Sequence, residues 1–278
     1  MSRIAGLIPR NNKGTPRLDI GTVTRLLGAK QGVRDGFFFT ENQQASAKFG
    51  SIQIVIDCSI FNADDFSTPQ KKLPDAQRVL LSISKIGIVR TLEKINGRFC
   101  LAVFDTKTNI LCLGRDRFGL STLFYTCFDG LIAFSSKAKG LLGLPGVSNE
   151  LDHSFLKAAA ATNYRFLDTN NTASPFRNIK QVPPGAIIRF DDKKVQTERF
   201  ASLTVDGIKR SNKPTREEYI HLFKKAVSKR LRVAKKPIFS LSGGLDSSSV
   251  VSMAQQITQK KQTAISTVHP NKLYDEQE

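Results

Sequence analysis

The chain has 278 residues, 40% hydrophobic and 24% charged, with 42 Lys and Arg against 24 Asp and Glu for a formal net charge of +18. This length allows one large domain or two of ordinary size, and the composition is that of a folded globular protein rather than a disordered or fibrous one. No apolar run reaches the roughly 18 residues of a membrane helix, and "MSRIAGLIPRNNKG" is too weakly apolar for a secretory signal, so a cytoplasmic protein without membrane contact is expected.

In chain order, "SIQIVIDCSIF" (51–61) is β-branched and apolar and reads as a strand. "DAQRVLLSISKIG" (75–87) has helical spacing and is closed by Gly87. "RFCLAVFD" (98–105) and "NILCLGRD" (109–116) flank a polar turn and read as a hairpin. "TLFYTCF" (122–128) and "LIAFSS" (131–136), joined by Asp129-Gly130, read as a second. A short helix at 151–161 follows, then turn, strand, turn and strand over 182–200. Polar "VDGIKRSNKP" has linker composition. Thr215 and Glu218 then form a Thr-x-x-Glu capping box opening an amphipathic helix over 215–231. A strand (237–241), a glycine turn, a helix (247–259) and a strand (263–268) make one βαβ unit, the start of a parallel sheet.

The four cysteines, Cys58, Cys100, Cys112 and Cys127, form no CxxC pair and read as free thiols. Three histidines argue against a His-rich metal centre. The positive charge suits an anionic partner, but basic residues are spread along the chain, and "KKAVSKRLRVAKK" (224–236) reads equally well as a solvated helix face. Nucleic acid is therefore not the expected partner.

The glycine turn "SLSGGLDSSSV" (240–250) carries the chemistry. A strand turning through glycines into a helix presents backbone N–H groups and the positive end of the helix dipole to an anion. Gly243 and Gly244 allow close approach, and Ser242, Ser247 and Ser248 can add hydroxyls. Asp246 beside a phosphate calls for a cation between them, and magnesium meets that need; as an alternative, Asp246 only caps the helix. Ser-Gly-Gly-x-Asp-Ser arises by chance in roughly one chain of this length in a few thousand, so the spacing outweighs any single residue.

"SGGLDS" resembles the pyrophosphate loop of the ATP pyrophosphatase family, which cleaves ATP between the α and β phosphates. Upstream, "INGRFCLAVFD", "LGRDRFGLSTLFY", "GSIQIVIDCSIFNADDF", "FRNIKQVPPGAIIRF" and "MSRIAGLI" resemble, in order, segments of the glutamine amidotransferase domain of asparagine synthetases. The resemblance implies an α+β four-layer αββα sandwich over 1–205, a linker over 206–214 and an incomplete synthetase domain over 215–278, beginning a parallel α/β sheet. It also implies ATP and Mg2+ as ligands and a carboxylate substrate activated as an acyl-adenylate. The nucleotide set would be Leu241, Ser242, Gly243, Gly244, Asp246, Ser247, Ser248, Thr267 and Val268, with Asp246 on the metal. Leu241, Thr267 and Val268 are placed on the adenosine because ligands gather where parallel strands end.

The chain departs from this family at the glutaminase centre. Ser2 stands where the family exposes a nucleophilic Cys, followed by Arg3 in place of Gly. Asp57-Cys58 replaces the Asn-Gly of the oxyanion hole, where a carboxylate opposes the charge to be stabilised. Lys137 replaces an acidic residue that would hold the amino group of glutamine. An inactive first domain is expected, with Arg115 and Asp116 kept as a structural ion pair.

Three readings follow. The chain is the N-terminal part of an asparagine synthetase-like, ATP-dependent ligase, with a second chain a possible source of the rest. Alternatively it is a lasso-peptide cyclase or β-lactam synthetase relative, in which a substrate amine replaces ammonia. The third reading is a non-catalytic remnant; an RNA-modifying member of the pyrophosphatase family, which the +18 charge would suit, is opposed by the amidotransferase-like front half.

Overall fold

A computed structural model describes residues 3–10, 33–35, 38–40, 42–65, 73–162, 170–191, 194–202, 215–234 and 236–268, which divide into two units, Met1–Leu203 and Thr204–Glu278. The expected linker lies outside the described residues.

The first unit has two six-stranded sheets. One runs in the order β10 (Lys180–Gln181), β8 (Phe124–Phe128), β9 (Leu131–Ser135), β1 (Ile4–Pro9), β3 (Phe38–Thr40), β2 (Val33–Asp35). The other runs β12 (Val195–Arg199), β11 (Ala186–Phe190), β7 (Ile110–Arg115), β6 (Gly97–Asp105), β5 (Ile52–Ile60), β4 (Ser46–Phe49). Both expected hairpins form: Asp105 pairs with Ile110, and Phe128 with Leu131. Asp129 and Gly130 both have positive φ, 45° and 71°, as a two-residue turn joining right-twisted strands requires.

Side-chain alternation along β5 and β6 builds the layers. Ile54, Ile56, Phe99 and Leu101 face outward onto Val79, Leu80 and Ile83 of α1 (Asp75–Ile86) and Leu92 of α2 (Ile88–Lys94). Val55, Cys100, Ala102 and Phe104 face inward, against Ile4, Ile8, Phe38 and Phe134 of the other sheet. The outer face of that sheet, with Ala5, Leu7 and Phe39, packs on Leu141 of α3 (Ala138–Leu141) and on Leu144 and Ile179. Helix, sheet, sheet, helix is thus the layer order, an αββα sandwich. The helix expected over 151–161 is α4 (His153–Thr162), with Asp152 accepting from the backbone of Phe155.

Arg115 and Asp116 correct one expectation. Instead of pairing with each other, each fastens backbone. The Arg115 guanidinium donates to the carbonyls of Gly119, Ser121 and Val182. Asp116, fully buried, accepts from the N–H groups of Phe99, Phe118, Leu120 and Ser121. A turn of charged and glycine residues cannot supply its own ladder, so these two side chains satisfy its polar backbone.

In the second unit α5 (Arg216–Val233) opens with the expected reciprocal box: Glu218 N–H donates to Thr215 Oγ1 at 3.1 Å, and Thr215 N–H to Glu218 Oε2 at 2.8 Å. β13 (Ile238–Ser240), α6 (Leu245–Thr258) and β14 (Thr263–Ile265) follow, the strands paired in parallel. Only Val227 and Ala254 are buried hydrophobics among this unit's described residues.

Candidate functional site

The glycine turn sits at the carboxyl ends of β13 and β14. Ser240 pairs with Ile265, and Leu241 N–H donates to the Ile265 carbonyl at 3.0 Å, the last rung between the strands. Gly243 then takes φ +79°, a conformation that disfavours any side chain, and Gly244 is the extended N-cap of α6. No side chain caps this helix. The N–H groups of Gly244, Leu245, Asp246 and Ser247 have no protein partner among the described residues, leaving an open cradle of donors.

The serines divide their work. Ser247 Oγ accepts from Ser242 N–H at 3.2 Å, lies 3.2 Å from Ser242 Oγ and donates to the Gly244 carbonyl at 3.1 Å, so it holds the turn in shape. Ser242 is exposed and Ser248 half-buried on the first turn. Asp246 is the second residue of α6, exposed, with no hydrogen bond or ion pair among the described residues. The cap position belongs to Gly244, so Asp246 does not cap the helix. The strand expected over 263–268 is shorter, so Thr267 and Val268 follow it rather than form its end. β14 ends at Ile265, because no rung continues past Leu241, and both residues lie beyond it, exposed. Likewise β13 is shorter and α6 begins two residues earlier than the spacing suggests.

The residues expected at a glutaminase centre differ in character. Ser2 lies outside the described residues. Beside it, Ile4 N–H donates to Ser136 Oγ at 2.9 Å, fixing the start of β1 next to Lys137, which is exposed at the head of α3. Asp57 is buried on the inter-sheet side of β5, opposite Cys100 of β6. Its carboxylate meets Arg98 through two contacts of 3.4 Å, and Arg98 also donates to Ser121 Oγ at 3.2 Å. The carboxylate at the position where the resemblance leads one to expect an oxyanion-hole amide is thus paired with a guanidinium from the next strand. Burial, with Asp57 adding to it, pushes the Cys100 thiol up to about 12, so it is neutral at physiological pH.

Cys58 points the other way. Its thiol lies 3.8 Å from Asp75 Oδ2, and burial followed by the charges of Asp75 and Asp57 raises it far above the ordinary thiol range. It lines a cavity of about 140 Å³ with Asn42, Gln44, Pro74 and Asp75. Pro74 is the N-cap of α1 and makes no side-chain cap bond. The Asp75 carboxylate and the Cys58 thiol thus share one small cavity at the start of α1. Sequence reasoning singled out neither Arg98 nor Asp75. The one signal for Arg98 was its place directly after Gly97 on a strand that is otherwise apolar up to its last residue, Asp105.

Residues 40–201 match the glutamine amidotransferase domain family, and residues 218–278 the asparagine synthase family. The chain is 30% identical to asparagine synthetase [glutamine-hydrolyzing] 3 of Bacillus subtilis, over 59% of this chain and 26% of that one. It is 30% identical to the human asparagine synthetase [glutamine-hydrolyzing], over 63% of this chain and 30% of the other. The matches therefore span under a third of these relatives' length. Among solved structures, it is similar to the glutamine phosphoribosylpyrophosphate amidotransferase of B. subtilis complexed with ADP and GMP, at 14% identity and a TM-score of 0.42, over 97% of this chain and 60% of that one. With an αββα amidotransferase sandwich followed in sequence by an asparagine synthase segment, the chain belongs to the asparagine synthetase family.

Proposed function

We propose that this chain supplies the nucleotide-binding end of an ATP-dependent, amide-forming ligase of the asparagine synthetase type, with an amidotransferase unit that no longer hydrolyses glutamine. The observation that carries the reading is the uncapped start of α6: successive N–H groups without protein partners, approached through Gly243 at positive φ and flanked by the exposed Asp246 carboxylate. A pyrophosphate group satisfies those donors and the helix dipole together. Ser242 and Ser248 add hydroxyls, Ser247 keeps the turn rigid, and Leu241, Thr267 and Val268 border the place for the adenosine.

The residues present fit a magnesium ion in one respect: Asp246 is an exposed carboxylate beside the anion cradle and is engaged by nothing else described. When bound, Mg2+ supplies charge neutralisation between carboxylate and phosphate oxygens. The reaction proposed is adenylation of a substrate carboxylate with release of pyrophosphate, followed by attack of an amine on the acyl carbon, which breaks the acyl–phosphate bond and releases AMP and a proton. A form carrying the remaining synthetase sequence, in cis or as a partner chain, should exchange labelled pyrophosphate into ATP, and Asp246→Asn should abolish that exchange. Exchange at the parent rate would overturn the reading.

A second reading is favoured by the Asp57–Arg98 pair, which stands where the resemblance leads one to expect the oxyanion-hole amide. An enzyme whose amine comes from the substrate itself, as in a cyclase or β-lactam synthetase, has no use for ammonia from glutamine. Pyrophosphate exchange that persists without glutamine or ammonia, driven by a substrate holding both carboxylate and amine, would separate it from the first.

A further inference from the structure

The second unit is polarised in charge along its helices. In the parallel pair β13–β14, α6 returns from the end of one strand to the start of the other, and α5 ends just before β13. The carboxyl ends of both helices therefore lie at the strand-entry edge, about 21 Å, the length of α6, from the glycine turn. The described acidic residues of this unit, Glu217, Glu218 and Asp246, all sit in the first turns of α5 and α6, with Arg216 the one basic residue there. The opposite end is basic. Lys225, Lys229 and Arg232 recur at i, i+4 and i+7 on the side of α5 away from its buried Val227, and exposed Lys236 follows. Exposed Lys260 and Lys261 close α6 at the same edge.

The lysines of α6 also border an open cavity of about 530 Å³, completed by Ser252, Gln255, Gln256 and Gln259. A helix dipole accounts for a cation or two in a last turn, but not for Lys225 two turns earlier or for a cavity lined with amides and ammonium groups. No apolar side chain lines that cavity, as insertion into a lipid surface would require. Ammonium groups with amide and hydroxyl donors suit phosphate and sugar oxygens.

We propose that this basic end is a binding surface for the phosphodiester backbone of a nucleic acid, remote from the glycine turn and independent of sequence. Binding is electrostatic and so falls with salt, with a slope of roughly −0.7 per contacted phosphate on single strands and −0.9 on duplex.

The test uses the full chain with a fluorescent single-stranded RNA and a duplex DNA, read by anisotropy across a salt series. K225E/K229E and K260E/K261E should each weaken binding by roughly tenfold and make the slope shallower by about 1.4 to 1.8. K85E/K107E, an equal charge change at exposed sites of the first unit, should leave both unchanged. RNA and DNA arms show which strand chemistry is preferred. Equal losses in all three variants, or no loss in the first two, would mean diffuse charge and overturn the proposal. So would capture by phosphatidylserine vesicles that excess nucleic acid fails to displace.

Discussion

Replacing Asp57 by Asn tests whether that carboxylate has exchanged an oxyanion-hole position for a structural one. The change is isosteric and restores the amide side chain that the family resemblance leads one to expect. It leaves the Arg98 guanidinium without its partner carboxylate. Removing one member of a fully buried pair costs about 3–5 kcal/mol, and an exposed pair contributes about 0.2–1 kcal/mol. Here the Arg98 and Asp57 side chains are 18% and 12% exposed, close to the buried limit. The 3.4 Å contacts exceed the usual N–H···O range, which pulls the figure down. A loss of about 2 kcal/mol follows, or roughly 4–8 °C in Tm for a unit of this size. Urea unfolding followed by circular dichroism, across Asp57→Asn, Arg98→Met and the double variant, isolates the coupling. In the Arg98→Met background, Asp57→Asn should cost far less than alone. Additive single effects would refute the pairing, and glutamate release from glutamine by Asp57→Asn alone would refute the view that the centre is blocked at several positions.

Four further outcomes are expected. The unaltered chain should release no glutamate from glutamine; release abolished by Ser2→Ala would restore a hydrolytic role to the N-terminus. Equilibrium dialysis should show ATP binding that depends on magnesium and is lost in Asp246→Asn, with an unchanged circular dichroism spectrum; equal binding would leave that carboxylate without a metal role. Gly97→Ala should destabilise by roughly 2–3 kcal/mol, because its Cβ would lie 2.4 Å from the Ser59 carbonyl oxygen, a backbone atom; denaturant midpoints check this. Stability should decline above pH 9. Burial lifts the Cys112 thiol to about 11 and Cys100 to about 12 from 9.0, so the folded chain keeps protons that the unfolded chain loses. The contribution is whole below the unfolded value and is lost as pH rises through the folded ones, by up to about 1.4 kcal/mol per pH unit and thiol. Cys112→Ala should flatten that decline.

What could be read from the residues alone follows from how locally each feature is determined. The strands β5, β6 and β7 were legible because period-2 alternation and β-branched runs are properties of the segment itself, and Asp129-Gly130 announces its turn through the positive φ it must adopt. The Thr215–Glu218 box was legible for the same reason: both partners lie three residues apart. β14 was overextended because "TAISTV" keeps its strand propensity beyond Ile265, whereas a strand ends where its partner's rungs end, which is not a local property.

The same distinction explains the charged residues. Adjacent Arg115 and Asp116 invited pairing by proximity, but each faces a backbone with unsatisfied groups, and burial rewards meeting those needs before forming an ion pair. Asp57 and Arg98 are 41 positions apart and meet only because β5 and β6 pair in a register that sets Asp57 opposite Cys100. The contrast between the two centres follows from this. At Asp57 a long-range partner, Arg98, meets the carboxylate. At Asp246 no described group takes up the charge, and the helix beside it keeps its first donors uncapped. An acidic residue in a first turn gains about 0.3–1 kcal/mol from the helix dipole without capping the helix, and Asp246 stands so in α6 with its carboxylate exposed. The arrangement is the one a bound phosphate and its counter-cation would complete.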